Sequence, residues 1–196
     1  EAAVVTLGEQ WVRTDKDGLY HLEGSGDVLK LRAAGYAKRE IASAELDNST
    51  ADITLSPFKV KGLYLTVYGM ASAKLRNDAL KTIEQNHLNA LVIDVKGDRG
   101  FIPFPVDLTL AERIGAQNTI LVKDMQALLT SLKEKNLYLI ARIVVFKDDL
   151  LAKAKPELAV RKKGGGIYTD REKLRWVDPF RREVWDYNIA IAQKVA

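Results

Sequence analysis

Three segments, Lys61–Gly69, Ala90–Lys96 and Tyr138–Phe146, alternate apolar and polar side chains in the same sense. Leu63, Leu65 and Val67 share one parity, as do Leu91, Ile93 and Val95, and then Leu139, Ala141, Ile143 and Val145. The opposite parity carries Tyr64, Thr66 and Tyr68, then Asp94 and Lys96, then Arg142 and Phe146. Side chains of a strand point alternately to its two faces, so the pattern specifies one dry face and one bearing charge and rings near the C-terminal strand ends. A parallel sheet coated by helices on one side, with a ligand site on the other, meets that requirement.

Helical periodicity lies between and after these strands. Ser72 is placed to cap a helix with the stripe Leu75, Ala79, Leu80 and Ile83. A second helix is expected over 120–135, carrying Leu121, Met125, Leu128, Leu129 and Leu132, with Asn136 ending it. A third is expected over 182–195, with Trp185, Ile189 and Ala192 on one side. Two long connections, Gly97–Thr119 and Lys147–Arg181, follow strand C-terminal ends, the edge where α/β proteins build ligand sites. They contain Asp98, Arg99, Phe101, Phe104, Tyr168, Trp176 and Asp178, a mixture suited to sugar rings. Phe101, Phe104 and Trp185 are read first as rings that pin loops to the body.

Before Pro57 the rhythm differs. Short alternating runs at Ala3–Leu7, Gln10–Thr14, Leu19–Leu22, Val28–Ala33, Ala37–Ala44 and Ala51–Leu55 are separated by turn residues such as Asp15-Lys16-Asp17-Gly18 and Asp47-Asn48-Ser49. Strands of that length and spacing predict a small β-sandwich over residues 1–57, ahead of an α/β domain over 58–196. Asp15-x-Asp17-Gly18 does not read as a calcium loop: with Gly18 sixth, Arg13 is first and Gly24 twelfth, where carboxylates are required. It reads as a hairpin turn.

Thr14–Leu22 and Val28–Tyr36 resemble the carboxypeptidase regulatory-like domain, a transthyretin-like β-sandwich of exported proteins. The resemblance begins part-way into that module and implies a spacer or binding module without catalytic residues. From Val60 onward, the phrases Val60–Thr66, Asn89–Lys96, Ile140–Asp148, Pro156–Val160, Trp176–Pro179 and Glu183–Asn188 resemble a bacterial family described as a glycosyl hydrolase-like domain, itself similar to TIM-barrel glycosidases. The implied fold is the N-terminal portion of a (β/α)8 barrel. The implied activity is on, or binding to, a polysaccharide or oligosaccharide outside the cytoplasm. A closed barrel takes ~250 residues and eight strands, so the chain is expected to be a piece of a longer protein, inactive alone. In the family, a strand with an Asp-Tyr-Val-Arg-type phrase follows the last helix, and the second catalytic carboxylate is expected there. The alternative is a non-catalytic carbohydrate-binding or scaffolding protein of the envelope.

Glycoside hydrolysis uses two carboxyl groups. Asp94, at the mouth end of the second strand, is the candidate catalytic carboxylate. A neighbouring cation such as Arg142 would favour an ionised group that binds or braces rather than donates a proton. Candidate substrate-binding residues are Tyr64, Tyr68, Lys96, Asp98, Arg99, Arg142, Asp148, Trp176 and Asp178. Asp148 and Asp178 have a second reading as caps of Asp148–Ala154 and of the last helix.

No cofactor or metal is expected. His21 and His87 lie in different halves, and Gly164-Gly165-Gly166 precedes Ile167-Tyr168 rather than a helix, against a phosphate loop. The absence of cysteine excludes disulfides and thiolate chemistry. A net charge of +4, from 30 basic residues interspersed with 26 acidic ones, points away from nucleic acid. No apolar run approaches the ~20 residues of a membrane span. The chain opens Glu-Ala-Ala without a signal peptide, so the extracytoplasmic expectation rests on the resemblance. Open sheet edges predict self-association.

Overall fold

The computed structural model describes residues 2–46 and 51–195; the expected turn at Asp47-Asn48-Ser49 lies outside them. The chain divides into two compact units, Glu1–Lys59 and Val60–Ala196.

In the first unit, strands β1 (Val4–Leu7), β2 (Gln10–Arg13), β3 (Val28–Arg32) and β4 (Arg39–Ala42) form one antiparallel sheet in the order β2-β1-β3-β4. Val5, Leu29 and Leu31 are buried on one face, with Leu7, Val12 and Ile41 packed against them. Leu19–Leu22 and Ala51–Leu55, expected as strands, join no ladder. Their parity survives all the same, because Tyr20, Leu22, Ile53 and Leu55 turn inward onto that face. The expected two-sheet sandwich is therefore a single sheet under a cover of extended chain. Asp15 closes its turn with its own carboxylate, which accepts from the backbone N–H groups of Asp17 and Leu19 at 2.9 Å each, while Gly18 takes φ +84°.

The second unit is built on three parallel strands, β5 (Gly62–Leu65), β6 (Ala90–Lys96) and β7 (Tyr138–Ile143), in the order β5-β6-β7. Helices α1 (Val67–Ala71) and α2 (Ala73–Gln85) follow β5, α3 (Thr109–Arg113) and α4 (Met125–Lys133) follow β6, and α5 (Asp149–Ala154) and α6 (Arg182–Val195) follow β7. The first strand is shorter than its alternation suggests. Thr66 leaves the ladder and its hydroxyl accepts from the Gly69 N–H at 3.2 Å, capping α1, so Val67 and Tyr68 are helical. Ser72 caps α2 as expected. The second helix starts at Met125 rather than near Ile120 because the Asp124 carboxylate takes the Ala127 N–H at 2.8 Å.

The dry face is fully formed on β6, while on β7 Leu139 and Ile143 are half-buried and Ala141, expected on the same face, is exposed. Leu91, Ile93 and Val95 of β6 share a core with Met70, Ile83, Leu132, Val184 and Ile191. On α6 the buried stripe is Val184, Tyr187, Asn188 and Ile191, not Trp185, Ile189 and Ala192, which are exposed. Both stripes have helical spacing, but two polar members disguise the buried one. Phe104 is buried, Phe101 half-buried, and Trp185 donates its indole N–H to the Pro179 carbonyl at 2.7 Å while nearly half exposed. No described helix is long and apolar enough to cross a membrane.

Candidate functional site

At the C-terminal ends of β5, β6 and β7, three side chains of the polar parity meet. Asp94 and Arg142 are direct register partners on adjacent strands. Tyr64 stands opposite Val92, one pleat short of Asp94, and spans that diagonal with its long phenol. The Tyr64 hydroxyl donates to Asp94 Oδ2 at 2.5 Å, and Arg142 Nη1 donates to Asp94 Oδ1 at 2.6 Å. Arg142 Nη1 also lies 3.2 Å from the Tyr64 oxygen, and the guanidinium sits over the Tyr64 ring at 5.4 Å. Both oxygens of Asp94 are thus engaged. Asp94 is buried, whereas the Arg142 side chain is 45% exposed, so the cluster presents a braced guanidinium and a phenol edge to solvent.

The electrostatics follow from these contacts. Partial burial and then the Asp94 carboxylate push the Tyr64 phenol above its ordinary value. The hydrogen bond to Asp94 raises Arg142. Asp98 adds to both shifts, which places its charge within reach of the cluster.

A shift of register on β6 between Asp94 and Lys96, the mark of a bulge, ends the regular pairing just past the cluster. Beyond it the expected site residues part company. Lys96 is completely buried, its Nζ donating to the equally buried Asp148 Oδ2 at 2.6 Å and lying 5.4 Å from the centre of the Tyr187 ring. Burial lowers the Lys96 pKa and raises that of Tyr187. Asp148 also accepts from the Leu151 N–H at 2.9 Å, capping α5, so the pair ties the end of β6 to the start of that helix. Gly100, at φ +90°, lies against it: a Cβ there would fall 2.2 Å from Asp148 Oδ1. Lys96 and Asp148, both expected at the ligand site, are thus paired with each other out of solvent, and the Asp148 carboxylate caps α5. Tyr68, 70% exposed on α1, has left the strand face on which it was expected.

A second group lies around Lys147, four residues past the end of β7. Its ammonium contacts Asp98 at 3.5 Å, Asp170 at 3.1 Å and Glu172. Trp176 donates its indole N–H to Asp170 Oδ2 at 3.0 Å, and that bond, with further backbone and Lys147 bonds, holds Asp170 down to about 2. The hydrogen bond that Lys147 donates to Glu172 is the largest cause raising Lys147. Asp98 and Trp176 are therefore tied into this group, while Arg99 is exposed and its carbonyl accepts from Leu150. The Asp178 carboxylate accepts from the Phe180 N–H, a turn ahead of α6. Lys147, Asp170 and Glu172 were not foreseen. The signal for Lys147 was its position immediately past a strand that ends at the mouth. Among the described residues no group of three or more His, Asp or Glu side chains is arranged to hold a metal ion.

The crystal structure of a hypothetical protein from Ruminiclostridium thermocellum is similar to this chain, with a TM-score of 0.63 and 31% identity over 68% of this chain and 70% of that one. No curated protein matches the chain. The family model described as "Putative glycosyl hydrolase domain" matches residues 62–196, the whole α/β unit from β5 through α6. By that match the chain belongs to the DUF4015 family of glycosyl hydrolase-like domains.

Proposed function

We propose that residues 60–196 are the opening βα units of a TIM-type barrel that binds or cleaves a polysaccharide outside the cytoplasm, and that Tyr64, Asp94 and Arg142 touch the sugar. The observation that carries this reading is the trio itself: one carboxylate, one guanidinium and one phenol, joined by bonds of 2.5–3.2 Å at the C-terminal ends of three parallel strands. That edge is where barrel enzymes place their sites. Arg142 keeps donors free for sugar hydroxyls, and the Tyr64 ring offers an apolar edge. Asp98, Arg99, Trp176 and Asp178 form the outer rim of the same reading, and residues 1–57 serve as a spacer or binding module of the carboxypeptidase regulatory-like type.

A second reading, a carbohydrate-binding domain without turnover, is favoured by one feature. Asp94 accepts hydrogen bonds on both oxygens, which suits an anchor better than a proton donor. A glycan array followed by hydrolysis assays on its hits separates the two. Turnover abolished by Asp94→Asn supports the enzyme, and binding that persists without turnover supports the second reading. Binding and turnover unchanged in both Asp94→Ala and Arg142→Ala would remove the site assignment.

A further inference from the structure

The sheet of the first unit has a second face, and its composition is not that of an ordinary solvated surface. The register places Trp11, Thr6, Lys30 and Glu40 side by side across the four strands, and Arg13, Val4 and Arg32 side by side in the next row. These residues have the parity opposite to Val5, Leu29 and Leu31, so they leave the sheet away from its core. Trp11 is 63% exposed, and Arg13, Lys30 and Arg32 are exposed without an ion-pair partner among the described residues. One flat apolar ring and three cations without a counter-charge thus share a single face of the sheet, a pairing that matches a ligand with both ring faces and negative charge.

The charge distribution sharpens the point. Residues 1–59 hold ten acidic and seven basic side chains, so the unit is acidic as a whole. Three of its seven cations nevertheless share this one face with a single acid, Glu40. Two residues along a strand are about 7 Å apart and two strands across about 10 Å. The cations therefore form a sparse lattice, with Trp11 next to Arg13 on the same strand.

We infer that this face, built from Trp11, Arg13, Lys30 and Arg32, is a binding surface for an acidic polysaccharide. A sugar ring lies on the flat apolar face of the Trp11 indole, and the carboxylates of that sugar and its neighbours pair with Arg13, Lys30 and Arg32. The spacing favours a chain carrying at most one charge per sugar over duplex DNA, which presents one charge per ~1.7 Å of axis. The surface shares no residue with the Tyr64–Asp94–Arg142 cluster, and nothing in the assignment depends on that cluster's role.

The test is affinity electrophoresis and tryptophan-fluorescence titration of the full chain with polygalacturonate, with dextran as the neutral control. Retardation by polygalacturonate and not by dextran is expected, falling as salt rises. Arg13→Gln/Arg32→Gln is expected to weaken binding at least tenfold and Trp11→Ala at least fivefold, with Trp11→Phe retaining more than Trp11→Ala. Lys16→Gln removes one positive charge from the same unit in the turn after β2, where Lys16 is paired with Asp17, and is expected to change binding less than twofold. All substituted positions are exposed, and unchanged circular dichroism and melting identify folded variants. Equal weakening by Lys16→Gln and Arg32→Gln would reduce the effect to net charge and overturn the inference. Equal retention on dextran, or binding of single-stranded DNA or phosphatidylglycerol vesicles where polygalacturonate fails, would overturn it as well.

Discussion

Replacing Asp148 by asparagine isolates the most consequential buried interaction of the α/β unit. The Lys96 ammonium and Asp148 carboxylate lie 2.6 Å apart with no exposure of either side chain. At an effective dielectric constant near 20 their attraction is about 6 kcal/mol, which roughly offsets several kcal/mol of desolvation per ion. The introduced amide would keep an oxygen for the Leu151 N–H but leave Lys96 buried without a counter-charge. Lys96 then has an escape, since it can give up its proton. The ordinary lysine value is 10.5. Neutralising it at pH 7 spans three and a half units at ~1.4 kcal/mol each, so the electrostatic penalty is capped at about 5 kcal/mol. A lysine whose folded pKa lies below its unfolded one binds fewer protons when folded. Stability therefore rises with pH through that window. Asp148→Asn is expected to lose about 3–5 kcal/mol at pH 7 and to recover up to ~1.4 kcal/mol per unit between pH 7 and 9. Urea unfolding followed by Trp176 and Trp185 in a Trp11→Phe background reads the α/β unit alone. Lys96→Met/Asp148→Asn should be less damaged than the sum of its single variants by at least about 3 kcal/mol. A penalty under ~1 kcal/mol, or a pH profile parallel to the parent's, would refute the reasoning.

Gly100→Ala should destabilise the same unit by about 1–3 kcal/mol, since φ +90° disfavours any side chain and the new Cβ would fall 2.2 Å from Asp148 Oδ1; a urea midpoint within error of the parent's would contradict it. The ultraviolet pH titration of the parent minus that of Tyr64→Phe isolates the Tyr64 phenolate, expected to form above the ordinary 10.0, and Asp94→Asn should bring it down; an unmoved titration would dissolve the proposed trio. Asp170 is held at about 2 against an ordinary 3.8, so its contribution is complete above the unfolded value and fades as pH falls from 4 toward 2. Melting temperatures of Asp170→Asn should accordingly fall less steeply over that range than the parent's, and parallel curves would exclude the effect.

The first unit's sheet shows how parity and pairing separate. Alternation in Leu19–Leu22 and Ala51–Leu55 correctly turned Tyr20, Leu22, Ile53 and Leu55 inward, yet neither run joins the backbone ladder of the sheet; instead the Arg39 side chain reaches across, donating to the Thr54 carbonyl at 2.7 Å. Burial needs only a side chain of the right sort every second residue, whereas a ladder needs a free neighbouring edge. Likewise Lys61–Gly69 alternates through nine residues, but Thr66 finds the Gly69 N–H and converts the last part to helix. Local hydrogen bonding overrode the strand pattern there.

Sequence by itself determined the parallel strands with a dry face of Leu91, Ile93 and Val95, the Ser72 cap, and the placement of Asp94 and Arg142 on one side of the sheet. These depend on period and on neighbours within a few residues, which a linear chain displays. Only the tertiary structure decided that Tyr64 reaches Asp94 diagonally, that Lys96 is sealed against Asp148, and that Lys147 gathers Asp98, Asp170 and Glu172. Whether a charged side chain binds a ligand or is locked into the body depends on what distant segments lay over it. Asp148 stands 52 residues from Lys96, and no local pattern announces that meeting.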